Sequence, residues 1–172
     1  MRSLVVYESW FGNTKQVAEQ IATVLAREGE VDLVSVEEPV PPLEDVDLLV
    51  IGAPTHVHGL SGKRSREAAL DQGGSGMPGI GVRGWIEALP NGARGPRAAA
   101  FDTRADKPVL LVGSAARGIA RRLRQHGYVL AAEPKSFFVE GTSGPLEEGE
   151  IERAAEWATA LANEVSHPAV MI

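Results

Sequence analysis

Two short runs constrain the fold more than any other feature of this chain. Leu4-Val5-Val6-Tyr7 and Leu48-Leu49-Val50-Ile51 place apolar residues at consecutive positions rather than alternate ones. A strand reads this way when both of its faces are covered, as in a parallel sheet lying between layers of helices. Between the runs the period changes. Val17, Ala18, Ile21, Val24 and Leu25 fall at helical offsets, and Gly29 stops the pattern. Val31–Val36 alternates and reads as a second strand. Glu37–Val46 holds three prolines, so it is a connection with at most one helical turn around Leu43-Glu44-Asp45.

The second half continues the alternation. Lys63–Leu70 suggests a short helix, and Asp71–Gly84, with six glycines and a proline, reads as a mobile loop. Trp85–Leu89 gives a helical turn or two, with Trp85, Ile86 and Leu89 as core. Arg97–Phe101 is a fourth strand. Ser114 is placed to cap a helix carrying Ala115, Ile119 and Leu123 on one face. Tyr128–Ala131 and Ser136–Val139 read as one fifth strand, interrupted around Pro134. A last helix runs from Ile151 to Val165 with an unbroken apolar face. Buried strands alternating with amphipathic helices predict an α/β fold: a doubly wound, five-stranded parallel sheet in three layers. Ligands of such sheets bind beyond the carboxyl ends of the strands, here just after Tyr7, Gly52 and Phe101.

A length of 172 residues suits one domain, expected over 1–166, with 167–172 as a tail. Cysteine is absent, which excludes disulfides, thiol catalysis and thiolate metal sites. Seventeen Lys+Arg against 23 Asp+Glu leave a formal charge of −6, and no Lys/Arg-rich block argues for nucleic acid or an anionic membrane. No apolar run approaches the roughly 20 residues of a membrane span. Met1-Arg2-Ser3 leads into the first strand without a signal-peptide h-region, so a soluble, cytoplasmic domain is expected.

The segment Glu8-Ser9-Trp10-Phe11-Gly12-Asn13-Thr14 feeds the first helix directly. A loop entering a helix presents unpaired N–H groups and the positive end of the dipole, a ready site for phosphate. Ser9, Asn13 and Thr14 add side-chain donors, and Gly12 lets the main chain come close. Taken alone, such residues are most simply a helix cap.

Together, Val5-Val6-Tyr7-x-Ser9-x-x-Gly12-x-Thr14-x-x-x-Ala18-x-x-Ile21 resembles the flavodoxin signature. Ile51-Gly52-Ala53-Pro54-Thr55-His56-Val57-His58-Gly59 is similar to the second flavin-facing loop of that family, and Phe101-Asp102-Thr103-Arg104 stands where the third belongs. The resemblance implies a flavodoxin-like fold with strand order 2-1-3-4-5 and non-covalent FMN. It implies the phosphate on Ser9, Trp10, Phe11, Gly12, Asn13 and Thr14. The ring is implied between Pro54, Thr55, His56, Val57, His58 and Gly59 on one side and Phe101, Asp102, Thr103 and Arg104 on the other. Asp102 and Asp106 would then lower the flavin potential and Arg104 would raise it. Flavodoxins usually stack the ring between aromatics, whereas this second loop offers His56 and His58. Stacking on His56 or Trp10 is the expectation, with Trp10 as a plain surface or interface residue the alternative.

Other patterns carry less. His56-x-His58 has a metal-like spacing but no third ligand. The G-x-G-x-x-G matches at Gly74 and Gly79 follow no buried strand. Arg117, Arg121, Arg122 and Arg124 read most simply as a solvated helix face, or as a docking site for an acidic electron-transfer partner. Glu147-Glu148-Gly149-Glu150 suits a helix start. The expectation is an FMN-binding electron carrier working with a redox partner protein, of unspecified oligomeric state. The alternatives are an FMN-dependent oxidoreductase acting on a small molecule such as a quinone, and a flavodoxin-fold interaction module without tight FMN binding.

Overall fold

The structure, a computed structural model, describes residues 1–56 and 59–167. Strand β1 (Arg2–Tyr7) buries Leu4, Val5 and Val6 completely, which is why its apolar residues do not alternate. Side chains still point to opposite faces in turn. Leu4 and Val6 enter one core, with Leu49, Ile51 and Ala53 of β3 (Leu48–Pro54) and Ala98 and Ala100 of β4 (Arg97–Ala105). Val5 enters the other, with Leu48, Val50, Ala99 and Phe101.

Each core is closed by helices. The first lies under α3 (Val82–Glu87) and α5 (Ala115–Gln125), which contribute Trp85, Ile86, Ile119 and Leu123. The second lies under α1 (Asn13–Leu25) and α6 (Glu150–Ser166), which contribute Val17, Ile21, Leu25, Trp157 and Leu161. In that second core Phe101, Phe137 and Trp157 meet edge to face at 6.0–6.2 Å, a geometry worth about 0.5–1.5 kcal/mol per pair beyond burial. Phe101 fills the space a side chain at 52 would need: a Cβ on Gly52 would lie 2.0 Å from its ring.

With β2 (Glu30–Ser35) and β5 (Lys135–Val139) the sheet has five parallel strands in the order β2-β1-β3-β4-β5. The chain leaves β1 toward one edge and then crosses to β3 on the other side. The crevice of such a sheet opens between those two strands.

Three expectations change. Strand β4 runs four residues past Phe101, because Ala53 and Pro54 still pair with Asp102 and Thr103 and β5 pairs through Ala105. The fifth strand is β5 alone; the earlier segment only bridges Leu130 to Ala98 before Pro134 turns the chain. The glycine-rich segment is pinned by hydrogen bonds. Ser75 donates its N–H to the Trp10 carbonyl and Met77 to Glu37, while Arg66 of α2 (Lys63–Asp71) donates to the Pro78 and Gly79 carbonyls. A short helix, α4 (Val109–Val112), precedes α5. Among the described residues no helix is long and apolar enough to cross a membrane. From residue 168 the expected tail lies outside the described residues.

Candidate functional site

At the carboxyl end of β1 the chain turns through Ser9–Gly12 into α1. Gly12 sits at φ +88°, a left-handed conformation that L side chains rarely adopt. The turn leaves the main-chain N–H groups of Gly12, Asn13 and Thr14 without an acceptor among the described residues. The Ser9 hydroxyl accepts from Lys15 N at 3.3 Å and keeps its own proton to donate. The hydroxyls of Thr14 and Thr103 lie 2.7 Å apart, and either can be the donor.

These groups border a cavity of about 300 Å³ over the ends of β1, β3, β4 and β5. Its wall includes Ser9, Trp10, Phe11, Asn13 and Thr14 from the first loop, and Pro54, Thr55 and His56 from the second. Thr103 comes from β4, Thr142 from the segment after β5, and Ala68 and Gln72 from α2. A Cβ on Gly12 would meet nothing within 4 Å.

The indole of Trp10 does not block that opening. Its Nε1 donates to Glu8 at 2.9 Å, its ring lies against Gly76, and the residue is only 3% exposed. Trp10 is therefore not a surface or interface residue. Glu8, missed by sequence reasoning, organises this corner. Its buried carboxylate accepts from Trp10, from the Ser61 hydroxyl and from Val82 N, while Arg66 donates to Ser61. A Cβ at 81 would lie within 3.0 Å of Arg66, Glu8 and Ser61, so any side chain there must displace this network.

The second loop closes on itself, with His56 and Gly59 exchanging two main-chain hydrogen bonds. Val57 and His58 lie outside the described residues. The His56 imidazole lines the cavity, and its Nε2 is buried without a partner among the described residues. Burial holds its pKa below the ordinary 6.5; Glu8 opposes this and Arg66 adds to it.

The third segment departs furthest from expectation. Because Phe101–Arg104 is strand, its side chains alternate between faces. Only Thr103 reaches the cavity. Phe101 is core. Asp102 is fully buried on the opposite face, where its Oδ2 accepts from the Thr55 hydroxyl, the Ser114 hydroxyl and Ala116 N. It caps α5 rather than facing the cavity. Arg104 lies over the Phe138 ring and donates to Ser136 and to the carbonyls of Ala105 and Lys107. Asn13 is also engaged inside the protein: its amide nitrogen donates to the Ser143 carbonyl at 2.7 Å.

This arrangement of sheet, switch point and loop has close counterparts among solved structures. A flavodoxin from the domain Archaea is 20% identical with a TM-score of 0.64, covering 97% of this chain and 100% of its own. Oxidised flavodoxin 2 from Bacillus cereus is 22% identical with a TM-score of 0.66, at 95% and 99% coverage. The fold is that of the flavodoxins. A family model described as a flavodoxin domain matches residues 4–66, spanning β1, the loop after it, α1, β2, β3 and the start of α2. The same flavodoxin fold also occurs inside a larger chain. A metal-soaked flavodiiron core from Synechocystis sp. is 15% identical with a TM-score of 0.58, covering 96% of this chain and 36% of its own. No curated protein matches the sequence.

Proposed function

We propose that this protein binds FMN non-covalently and carries electrons between partner proteins. The observation that supports this reading best is the open first turn of α1 at the edge of a cavity. Three main-chain N–H groups without an acceptor among the described residues lie there, beside the hydroxyls of Ser9 and Thr14. A phosphate monoester supplies the missing acceptor oxygens, and the positive end of the helix dipole favours its charge. Neutral donors suit it, because a guanidinium or ammonium is not needed when several amides point at one anion.

About 300 Å³ is at the small end of ligand sites, roughly 300–1,000 Å³. That suits a ligand whose phosphate and chain are enclosed and whose ring edge stays open to a partner. When bound, FMN supplies one- and two-electron transfer at its ring. The chain positions it. Thr14 and Thr103 would hold the phosphate end, while His56, its pKa lowered by burial, would border the ring without adding charge.

A second reading has its own support. Trp10 and Asn13, two side chains the sequence offers to a ligand, are engaged inside the protein. That favours a flavodoxin-fold interaction module without tight FMN binding. Titration of the colourless protein with FMN separates the two. The carrier reading expects flavin fluorescence to quench to a 1:1 end point. Unquenched flavin at tens of micromolar protein would leave the interaction module standing. NAD(P)H-driven turnover of a quinone by the loaded protein would move it from carrier to reductase.

A further inference from the structure

We propose that the groove between α3 and α5 is a docking surface for the acidic face of a partner protein. Its purpose, though not its chemistry, rests on the electron-carrier reading. Four guanidinium groups line the groove and its continuation: Arg83 from α3, and Arg117, Arg121 and Arg122 from α5. None of the four is in an ion pair among the described residues. Glu87 is the one carboxylate on these walls. Arg124, the fifth cation nearby, turns away to Glu133. In a chain of net charge −6 such segregation is not expected from composition.

The crowding leaves a trace on Arg122. Burial lowers its pKa first, then Arg83 and Arg121 lower it further, and Glu87 only partly offsets them. Arg83, Arg117 and Arg121 make no side-chain hydrogen bond among the described residues, so their forks are available to carboxylates. The groove starts at Gly59 and Leu60, beside the second loop of the cavity, and continues toward His126 along α5. A partner seated there lies next to the open rim of the cavity, where electron transfer would occur.

The occupant is a protein face rather than a nucleotide for two reasons. The α5 cations, from Arg117 to Arg122, span about 7.5 Å of helix axis and Arg83 faces them from α3, with no Phe, Tyr or Trp lining the groove as a base platform. The N-terminal amides of α5 are already taken: Ala115 N by Thr55, Ala116 N by Asp102 and Arg117 N by Ser114. No phosphate cradle is left, only spaced side chains matching spaced carboxylates.

The probe is a fluorescein-labelled dodecapeptide of Asp, Glu and Ala, followed by anisotropy with the FMN-free chain at low salt. Binding to the wild type should weaken steeply as salt rises. Arg117→Gln with Arg121→Gln should reduce affinity about tenfold, whereas Arg27→Gln with Arg94→Gln should change it less than about twofold. Arg117→Lys with Arg121→Lys should retain most of it. Equal losses in the two Gln pairs, or no wild-type binding, would overturn the proposal. So would tighter binding of inorganic pyrophosphate or a single-stranded oligonucleotide that the Arg117/Arg121 Gln pair abolishes. FMN affinity of that variant, measured separately, should be unchanged, so a failed docking test leaves the cofactor reading intact and the reverse also holds.

Discussion

Helices α1 and α5 both begin at the carboxyl end of the sheet, α1 directly after β1 and α5 after the short α4, and are completed differently. At α5 every amide of the first turn meets an oxygen of the protein, from Thr55, Asp102 or Ser114. At α1 the third amide, Lys15 N, likewise meets a hydroxyl, from Ser9, but the corresponding amides of Asn13 and Thr14 meet none among the described residues, and both residues line the cavity. Helix geometry generates the same orphan donors at both ends. What separates a structural start from a binding start is whether the chain supplies its own anion. Asp102 is that anion for α5, and α1 has no counterpart.

The comparison can be broken most forcefully at Asp102. Asp102→Ala leaves two hydroxyls and an amide without their shared acceptor and should cost about 2–4 kcal/mol of unfolding free energy in urea. FMN affinity of the folded fraction should stay within about twofold; a large loss would mean that both helix starts serve the ligand. Thr14→Val tests the other end. It should raise the FMN dissociation constant about tenfold, equivalent to about 1.4 kcal/mol, with a smaller loss of stability from the stranded Thr103 hydroxyl. Gly12→Ala meets no steric obstacle but must hold φ +88°, at a cost of about 1–2 kcal/mol in urea. Ser114→Ala removes a side-chain cap and should cost about 1 kcal/mol without moving FMN affinity.

The smallest effect concerns His56. Because burial depresses its folded pKa below 6.5, the unfolded chain takes up the proton first as pH falls. The contribution to stability is full above 6.5 and is lost as pH falls through the folded value. Urea midpoints of wild type and His56→Gln should therefore shift in favour of the variant between pH 7.5 and pH 5. A pH-independent difference would show that the imidazole is not shielded.

Most of the fold was legible because burial on two faces leaves an unmistakable pattern. Val5 and Val6 serve opposite cores, as adjacent residues of a strand covered on both faces must. The helical spacing of Val17, Ile21 and Leu25 was equally readable. The site was legible where it is local, from Ser9 to Thr14. It was not legible where it depends on pairing across the sheet. Asp102-Thr103-Arg104 is polar and looks like a loop, yet neighbouring strands keep it extended and so send Asp102 and Thr103 to opposite faces. Glu8 was passed over because a carboxylate after a strand is ordinarily solvated. Its partners Ser61 and Val82 are 53 and 74 residues away in the chain.

The placement of the three tryptophans gives the molecule a set of internal optical gauges. Trp85 emits from one helical layer, Trp157 from the other, and Trp10 from the rim of the cavity beside a carboxylate. Retaining one indole at a time, with phenylalanine at the other two positions, would let each layer report its own melting curve. Coincident curves would mark a molecule that comes apart as a unit; an early Trp10 transition would mark the rim as the first part to loosen.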